Sequence, residues 1–478
     1  MGFIGRSREL AELDALVATI RRGHRDRPGT AVLLRGRRRV GKSRLATEFV
    51  HRSGLPSVYF AAARGADPIA EFAVLAQSVA ESDLPDASLA TDSAPQTLTA
   101  ALTLLASALP DDSPSVVVLD ELPWLLEQLP GGAGELQRVW DRRLSEKPVV
   151  LLMLGSDISA MEQLTRPDAP FHARATEMVL RALNPAEVGQ MTATRGVDAF
   201  DAYLVTGGQP LVAQEWEPGL DLTAFLTSSY QRATSALVVS GNQVLDGELG
   251  ITSAERAVLT AIGGRGERSF SAIRNATGAS PLSASTVEIA LGKLRDRRLV
   301  AIDEPLGFTP GNKTRRYRVA DPALRYWLAF VAPAQIDVDR GRADLALKRH
   351  QTGFEAWRGR VIEPVVREAL LRLLPNDDWP DIRAIGGWWP RTNTPEIDLV
   401  AADARPASTI NFIGTIKWRP THPVTVAEIQ HLTLDASSIP HLNQVPPTVA
   451  VCPAGAEADT GAQAVWTADD LLAAWPGD

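Results

Sequence analysis

The sequence predicts an α/β protein whose first 180 residues form a doubly wound parallel sheet. Three observations support this fold class. Apolar segments of strand length alternate with amphipathic segments of helix length, which is the pattern of βαβ units. A glycine-rich stretch at 36–43 joins the first predicted strand to a helix. The strand at 115–121 ends in two carboxylates, at the sheet edge where open α/β sheets bind ligands.

The elements of this region follow from the spacing of apolar residues. A helix is predicted over 9–21, because Leu10, Leu13, Leu16 and Ile20 fall on one helical face. Strands are expected at 31–34, 57–63, 115–121 and 149–154, and further helices at 68–82 and 96–109.

Residues 36–43 fit the pattern G-x-x-x-x-G-K-[ST], the phosphate-binding loop of nucleotide-hydrolysing proteins. Its glycines let backbone N–H groups point at phosphate oxygens, and the next helix adds a positive field. Lys42 is predicted to reach the β- and γ-phosphates of ATP, and Ser43 to hold Mg²⁺. The alternative is an ordinary glycine-rich turn. The predicted nucleotide-binding residues here are Gly36, Arg37, Arg38, Arg39, Val40, Gly41, Lys42, Ser43 and Arg44.

Acidic and polar residues follow the later strands. Asp120 is predicted to hold Mg²⁺, and Glu121 to position and deprotonate the attacking water. Two helix-capping acids are the alternative. Ser156, after the strand at 149–154, is expected between the phosphate loop and the Asp120 strand, where it would sense the γ-phosphate. A helix cap formed by Ser156 or Asp157 is the equal alternative.

The composition narrows the class of protein. A chain of 478 residues suggests about three domains. Its net charge of −8 gives no whole-chain attraction to nucleic acid or anionic membranes. The single cysteine, Cys452, excludes an intrachain disulfide and a multi-cysteine zinc site. The sequence contains no apolar run near 18 residues and no signal-like start, so a cytoplasmic protein without membrane contact is expected.

Residues 253–319 predict three helices and two short strands around a turn-rich wing, a helix-turn-helix variant. The helices are expected at 254–263, 269–277 and 284–297, the strands at 299–302 and 317–319, and the wing at 305–314. Eleven basic and five acidic residues lie in 265–318, which favours contact with a DNA backbone. The third helix, with Ala284, Ser285 and Glu288, offers little base readout. A domain that only relays the nucleotide state is the alternative.

A second α/β pattern follows Phe354. Strands are predicted over 396–400 and 411–418. Alternation of side chains along a strand places Glu396 and Asp398 on one face, and Thr415 and Lys417 on one face.

The chain resembles the archaeal-type ATPases of the STAND branch of AAA+ proteins. The matching segments are Phe-Ile-Gly-Arg at 3–6, the phosphate loop, Leu-Asp-Glu at 119–121 and Leu-Gly-Ser at 154–156. The resemblance implies that Ile4, Gly5 and Arg6 contact the adenine side of the nucleotide. A segment at 171–176 resembles the family's Gly-Arg-(Ala/Ser)-Thr, although Ala173 replaces the glycine.

Within that segment, Arg174 is the implied γ-phosphate arginine, with a surface ion pair as the alternative. Gly208 and Pro210, in a Gly-Gly-x-Pro stretch, are implied to belong to a helical lid over the nucleotide. Without the resemblance, this stretch predicts only a turn.

The C-terminal region resembles the restriction-endonuclease-like domain, of PD-(D/E)XK type, that follows the ATPase in that family. The usual Gly-Glu-x-Lys-Trp is Gly-Thr-Ile-Lys-Trp at 414–418, so Thr415 replaces a metal carboxylate. Nuclease chemistry needs at least two carboxylates on a divalent cation. We therefore expect a degenerate domain kept for DNA binding or assembly, with an active nuclease as the alternative. The possible site residues are Glu363, Glu396, Asp398, Thr415 and Lys417.

These inferences predict an ATP- and Mg²⁺-dependent ATPase that binds DNA, in genome defence or DNA maintenance, and forms a homo-oligomer. Two alternatives stay open: a nucleotide-gated signalling switch that acts through oligomerisation or a protein partner, and an ATP-regulated nuclease. The predicted domains are an ATPase domain at 1–180, a helical lid at 181–245, a winged helix at 246–322, a connecting helix at 323–350 and a nuclease-like domain at 351–478.

Overall fold

A computed structural model describes residues 3–23, 26–156, 158–243, 245, 251–278, 280–309 and 314–475. The chain divides into two compact units, Met1–Arg181 and Ala182–Asp478. The first unit ends one residue from the predicted limit of the ATPase domain. The four later predicted segments all lie in the second unit, and their division into separate domains stays a prediction.

The first unit is built on a five-stranded parallel sheet with helices on both faces. This confirms the predicted doubly wound parallel sheet and its four predicted strands, whereas the fifth strand, at 175–179, was not predicted. Its strands lie in the order β2-β3-β4-β1-β5. The strands are β1 (Thr30–Arg35), β2 (Ser57–Ala61), β3 (Ser115–Asp120), β4 (Val149–Gly155) and β5 (Ala175–Val179). The helices are α1 (Ser7–Arg21), α2 (Lys42–Ser53), α3 (Pro68–Ala80), α4 (Leu98–Ala108), α5 (Leu122–Glu127), α6 (Gly132–Arg142) and α7 (Ile158–Gln163). Short 3₁₀ segments lie at Ala87–Ala90 and Leu144–Glu146.

Each central strand is apolar on both sides because both faces of the sheet are covered. In β1, Ala31 and Leu33 belong to one buried cluster, and Val32 and Leu34 belong to the cluster on the opposite face. This burial fixes the register of the strands. The carboxyl ends of β3, β4 and β1 therefore lie side by side at one edge, with β4 in the middle.

In the described residues of the predicted lid segment, the second unit has five α-helices. They are α8 (Pro185–Thr192), α9 (Gly196–Thr206), α10 (Pro210–Ala213), α11 (Leu222–Tyr230) and α12 (Ala236–Gln243). An asparagine and a glutamate form a capping box at the start of α8, where Asn184 and Glu187 exchange hydrogen bonds with each other's backbone.

Three helices and a small antiparallel sheet follow. The helices are α13 (Ser253–Ile262), α14 (Phe270–Asn275) and α15 (Ala284–Asp296), and the strands are β6 (Arg268–Ser269), β7 (Val300–Asp303) and β8 (Arg316–Val319). The sheet order is β6-β8-β7. The helices match the predicted ones within a few residues. The two-residue strand β6 is an addition, since it is too short to give a periodic pattern. Of the predicted wing, residues 310–313 lie outside the described residues.

The single connecting helix predicted over 323–350 is wrong. The region holds α16 (Pro322–Tyr326), a π-helical turn (Trp327–Val331), a 3₁₀ turn (Ala332–Ala334), α17 (Gln335–Asp339) and the start of α18 (Ala343–Val361). Pro333 interrupts regular helix hydrogen bonding, and α17 ends in a left-handed glycine, Gly341. Helix α18 runs through the predicted boundary at residue 350 without a break.

The last part of the unit is a second five-stranded sheet, in the order β13-β12-β11-β10-β9. Strands β9, β10 and β11 are antiparallel, and β11, β12 and β13 are parallel. The strands are β9 (Ala384–Trp388), β10 (Ile397–Ala402), β11 (Ile410–Ile416), β12 (Thr448–Val451) and β13 (Ala464–Trp466). The helices are α19 (Glu363–Leu373), α20 (Val426–Ala436) and α21 (Ala468–Leu472).

Within the described ranges, no helix combines the length and apolar character needed to cross a membrane.

Candidate functional site

The phosphate loop lies between β1 and α2, where the motif predicts it. Gly41 has a φ of 94°, in the left-handed region that favours glycine. A side chain at Gly36 would place its Cβ 2.5 Å from the Leu180 carbonyl oxygen, so only glycine fits there. The Lys42 ammonium group is buried and donates hydrogen bonds to the Gly36 and Arg37 carbonyl oxygens, at 2.9 and 3.1 Å. The lysine is thus held inside the curl of the loop.

Ser43 is joined to the end of β3. Its hydroxyl donates to Asp120 Oδ2 at 2.6 Å. The Tyr59 hydroxyl, from the neighbouring strand β2, donates to the same oxygen at 2.5 Å. Burial and the hydrogen bond to Asp120 both raise the pKa of Tyr59. Tyr59 therefore stays protonated and acts as a donor that orients the Asp120 carboxylate.

Glu121 is positioned by an unusual backbone turn. Its φ of 50° is left-handed, a conformation that non-glycine residues adopt at a cost of about 1 kcal/mol or more. Its Oε2 accepts hydrogen bonds from the Ser156 backbone N–H at 3.2 Å and from the Ser156 hydroxyl at 2.9 Å. Arg38 Nε donates to the hydroxyl oxygen of Ser156, Oγ, at 3.3 Å. The Arg38 guanidinium also lies 5.5 Å from the ring centre of Trp124.

These contacts bring together the residues predicted at the ends of three strands. Ser43, Asp120, Glu121 and Ser156 form two adjacent hydrogen-bonded pairs at the edge of the sheet. A hydroxyl beside a carboxylate is the donor set that Mg²⁺ takes in phosphate-loop proteins. The site fits a nucleoside triphosphate with Mg²⁺, because it combines the narrow glycine loop, the enclosed Lys42 and this donor pair. When bound there, Mg²⁺ would neutralise phosphate charge, held by Ser43 and Asp120.

Arg6 supports the loop from the N-terminal side. It is buried, with 5% of its surface exposed, and donates to the Val40 and Arg181 carbonyl oxygens at 3.0 and 2.8 Å. The preceding Gly5 and Arg6 itself both have positive φ angles, so the chain turns sharply before α1. The structure thus gives Arg6 a role in holding the loop. Contact of Ile4, Gly5 and Arg6 with adenine stays a prediction.

Arg174 makes the ion pair that the sequence left as the alternative. Its Nε lies 2.9 Å from Asp141 Oδ1, on α6, and about a third of each side chain is exposed. An exposed pair of this kind contributes only about 0–1 kcal/mol, so Arg174 is able to leave it for a stronger partner. Its γ-phosphate role stays a prediction.

The Gly207–Gly208 pair is explained by packing inside the second unit. Both glycines have positive φ angles. A Cβ on Gly208 would lie 2.0 Å from the Leu183 carbonyl oxygen, and one on Gly207 would lie 2.3 Å from the Ala323 nitrogen. Pro210 starts α10, as proline favours the first helical position. Nucleotide contact by Gly208 and Pro210 stays a prediction.

Of the five residues predicted in the C-terminal domain, Asp398 and Thr415 touch directly. Asp398 Oδ2 accepts hydrogen bonds from the Thr415 hydroxyl at 3.0 Å and from the Ile416 N–H at 2.9 Å. Strands β10 and β11 bring them together, since Leu399 pairs with Gly414. Lys417 follows β11, and its backbone N–H donates to the Val451 oxygen at 2.9 Å.

The two glutamates of this group are paired with arginines. Arg367, on α19, contacts Glu363 Oε2 at 2.9 Å and the Asp398 carbonyl oxygen at 2.8 Å. Arg316, on β8, pairs with Glu396. Both glutamates line one cavity of about 430 Å³. Burial raises the pKa of Glu363 to about 8, so this carboxyl is largely protonated at neutral pH.

This donor set does not fit a divalent metal ion. Glu363 is largely protonated and contacts Arg367, Glu396 is paired with Arg316, and the Thr415 hydroxyl and the Ile416 N–H donate to Asp398 Oδ2. Among the described residues, no group of three or more His, Cys, Asp or Glu side chains is placed to hold a metal ion.

Several residues at these sites were not identified from the sequence. Tyr59 lies in an ordinary apolar strand, and its contact with Asp120 depends on β2 and β3 being neighbours. Arg316 acts across 80 positions of the chain on Glu396, which no local pattern signals. For Arg367 a signal existed, because Glu363 and Arg367 stand four residues apart on a helix.

Comparisons with known proteins agree with the first site. Residues 2–130 match the family model of an AAA ATPase domain, and they include the phosphate loop, Asp120 and Glu121. The comparison therefore supports an ATPase of AAA type. Residues 327–429 match a second model, described as archaeal and bacterial proteins of unknown function. A curated relative is the uncharacterized protein MJECL04 of Methanocaldococcus jannaschii, 22% identical over 81% of this chain and 82% of its own length.

Similar solved structures share low sequence identity with this chain. The Walker-type ATPase PABY2304 of Pyrococcus abyssi has a TM-score of 0.48 and 17% identity, covering 68% of this chain and 96% of its own. The Aeropyrum pernix ORC2 protein, in a structure titled ADPNP-ADP complexes, has a TM-score of 0.45 and 16% identity, covering 73% and 96%.

The C-terminal site yields a prediction about metal binding. Thr415→Glu should raise the affinity for Mn²⁺ above that of the wild type, because the new carboxylate lies beside Asp398. Isothermal titration with Mn²⁺ measures the difference, and Thr260→Glu, on the exposed side of α13, is the matched control. The wild type should not cleave supercoiled plasmid with Mn²⁺. Cleavage by the wild type that is lost in Asp398→Ala would contradict this reading.

Proposed function

We propose that this protein is a Mg²⁺-dependent ATPase whose second unit binds DNA. One observation carries the ATPase part. Ser43 and Asp120 form one hydrogen-bonded pair, and Glu121 and Ser156 form the next, beside a loop that encloses Lys42. A metal-holding pair next to a positioned carboxylate is the arrangement that phosphoryl transfer to water requires.

Each group has a distinct part in the proposed reaction. Lys42 leaves the loop carbonyl oxygens and takes the β- and γ-phosphate oxygens, so its charge stabilises the leaving group. Glu121 accepts a proton from the attacking water, and Ser156 keeps its carboxylate aimed. Arg38, which contacts the Ser156 oxygen, adds positive charge on the γ-phosphate side.

The resemblance noted above supplies further proposed contacts. Arg174 leaves Asp141 to reach the γ-phosphate. Gly208 and Pro210 belong to a lid, and residues 4–6 lie near adenine. These assignments rest on the matching segments alone.

Two variants separate nucleotide binding from hydrolysis. Lys42→Ala should abolish ATP binding. Glu121→Gln should bind ATP normally and lose hydrolysis by about 10²–10⁴-fold, the usual contribution of a general base. Titration with a fluorescent ATP analogue measures binding, and phosphate release measures turnover. Glu127→Gln, an exposed glutamate on α5, controls for the change of charge. Normal turnover in Glu121→Gln would remove Glu121 from this role.

For the DNA part, we interpret α13–α15 with the sheet β6-β8-β7 as a winged helix. Three helices followed by a three-stranded antiparallel sheet have this order of elements. We interpret the sheet β9–β13 with its helices as a nuclease-like domain that has lost its metal site. The excess of basic residues in 265–318, in a chain that is negative overall, supports contact with phosphates.

Binding of duplex DNA should weaken steeply with salt. Each phosphate contact contributes about 0.9 to the slope of log affinity against log salt concentration. Fluorescence anisotropy with a labelled duplex, from 50 to 200 mM KCl, measures this slope with and without ATP. If no binding occurs at 50 mM KCl in either state, the DNA part of the proposal is lost and the ATPase part remains.

A further inference from the structure

Three arginines that follow the predicted wing, Arg315 just before β8 and Arg316 and Arg318 on it, form ion pairs within the second unit. Arg315 Nε lies 2.6 Å from Glu304 Oε1, and Arg318 Nε lies 2.7 Å from Asp303 Oδ2. Arg316 pairs with Glu396 and lies 4.1 Å from the ring centre of Trp389. Contact of these three arginines with phosphate would require breaking existing ion pairs.

The two ends of the β7–β8 connection are also attached to the C-terminal sheet. The Leu306 N–H donates to the Gly387 oxygen at 2.8 Å, and the Ala407 N–H donates to the Gly307 oxygen at 2.9 Å. Trp389 Nε1 donates to the Thr314 oxygen at 2.8 Å. Leu306 is 1% exposed and belongs to the core of that sheet. The described parts of the connection are therefore fixed to the C-terminal sheet. A DNA-binding wing, by contrast, would project freely into the solvent.

The exposed face of α15 is poorly suited to phosphate. Ile289 is 61% exposed, and the acidic Glu288 and Asp296 are exposed near it. The lysine of this face, Lys293, lies 3.8 Å from Glu255. Arg295 is exposed as well and lies 3.4 Å from Asp296, so the two acids and two bases of α15 balance. A DNA backbone would meet an apolar surface without an excess of positive charge here.

Three other arginines are exposed and have no carboxylate within 4 Å in the described part of the chain. Arg265 lies in the glycine-rich loop after α13, Arg268 is the first residue of β6 at the end of that loop, and Arg360 lies near the end of α18. They line two cavities of about 270 and 430 Å³, which share Gly266, Glu267 and Arg268. We call the two together the arginine cleft.

Glycine lets the loop bring these side chains together. A Cβ on Gly264 would lie 2.0 Å from the Arg325 carbonyl oxygen, so the loop packs directly on α16. A Cβ on Gly266 would lie 3.8 Å from Arg360 Cδ, which places the Arg360 stem against the loop. Each acid of the cleft contacts an arginine, since Arg316 contacts both Glu267 and Glu396, and Arg367 contacts Glu363. The lining holds four arginines and three glutamates, so positive charge is in excess and lies on the rim guanidinium groups.

We propose that the arginine cleft binds phosphate groups of a DNA backbone through Arg265, Arg268 and Arg360. This inference rests on the proposed DNA binding and assigns it to a surface other than the wing or the α15 face. Guanidinium groups bind phosphate oxygens in a bidentate manner. Backbone contacts of this kind position the protein and carry no sequence information.

The test compares two charge-matched triple variants of the full chain. R265Q/R268Q/R360Q removes the rim of the cleft. The control, R195Q/R340Q/K348Q, removes three exposed charges of the same unit that do not line it. Lys348 lies on the same helix as Arg360, about 18 Å away along its axis. Anisotropy with labelled duplex DNA measures affinity from 50 to 200 mM KCl.

The cleft variant should bind at least tenfold more weakly at 100 mM KCl, and its salt slope should fall by about 2 to 3. The control should keep both values. Competition identifies the ligand. If inorganic pyrophosphate or a mononucleotide displaces the labelled duplex as well as unlabelled duplex does at the same phosphate concentration, the cleft binds a small phosphate ligand and the DNA assignment is overturned.

Two failures are distinguishable. No DNA binding by the wild type removes the proposed function itself. DNA binding that is equal in the wild type and the cleft variant leaves the proposed function standing and refutes the cleft. Thermal melting checks that the triple variant folds. If it does not, the three single Gln variants carry the test, each with an expected fall in salt slope of about 0.9.

Discussion

The hydrogen bond from Ser43 to Asp120 is the contact on which the nucleotide site depends. It joins the start of α2 to the end of β3, across the intervening strand β4. A hydrogen bond to a charged group contributes about 1.5–3 kcal/mol, and Asp120 is 5% exposed, so its loss would leave a buried carboxylate with one donor fewer. This bond fixes the position of the loop that encloses Lys42 relative to the turn that presents Glu121.

The strand order explains why the sequence was informative about this site. In a parallel sheet with both faces covered, the carboxyl ends of the strands must meet at one edge. Apolar runs that end in Asp120 and Ser156 were therefore enough to place these residues beside the phosphate loop, and the structure brings Ser43, Asp120, Glu121 and Ser156 together. The helices and strands predicted for the first unit also lie within a few residues of their observed positions, because their apolar spacing is regular. The elements α5, α6, α7 and β5 were not predicted.

The sequence was least informative where contacts join distant segments. Tyr59 reaches Asp120 from a neighbouring strand, and Arg316 reaches Glu396 from another part of the second unit. The basic composition of 265–318 predicted a charged surface, but five of its arginines pair with carboxylates of the same unit. Composition counts charges and does not show which are already paired. The breaks in the predicted connecting helix have a local cause, since Pro333 and Gly341 are helix-breaking signals in the sequence itself. The prediction of one helix over 323–350 did not take them into account.

The proposed function places ATP hydrolysis in the first unit and DNA binding in the second, and we infer from this combination that bound DNA changes the rate of hydrolysis. The most direct measurement is steady-state phosphate release at low salt, with no DNA, with duplex DNA and with single-stranded DNA. The account predicts that saturating duplex DNA changes the rate of hydrolysis by the wild type. A rate of hydrolysis that is identical in all three conditions, in a protein shown to bind the duplex, would contradict the coupling.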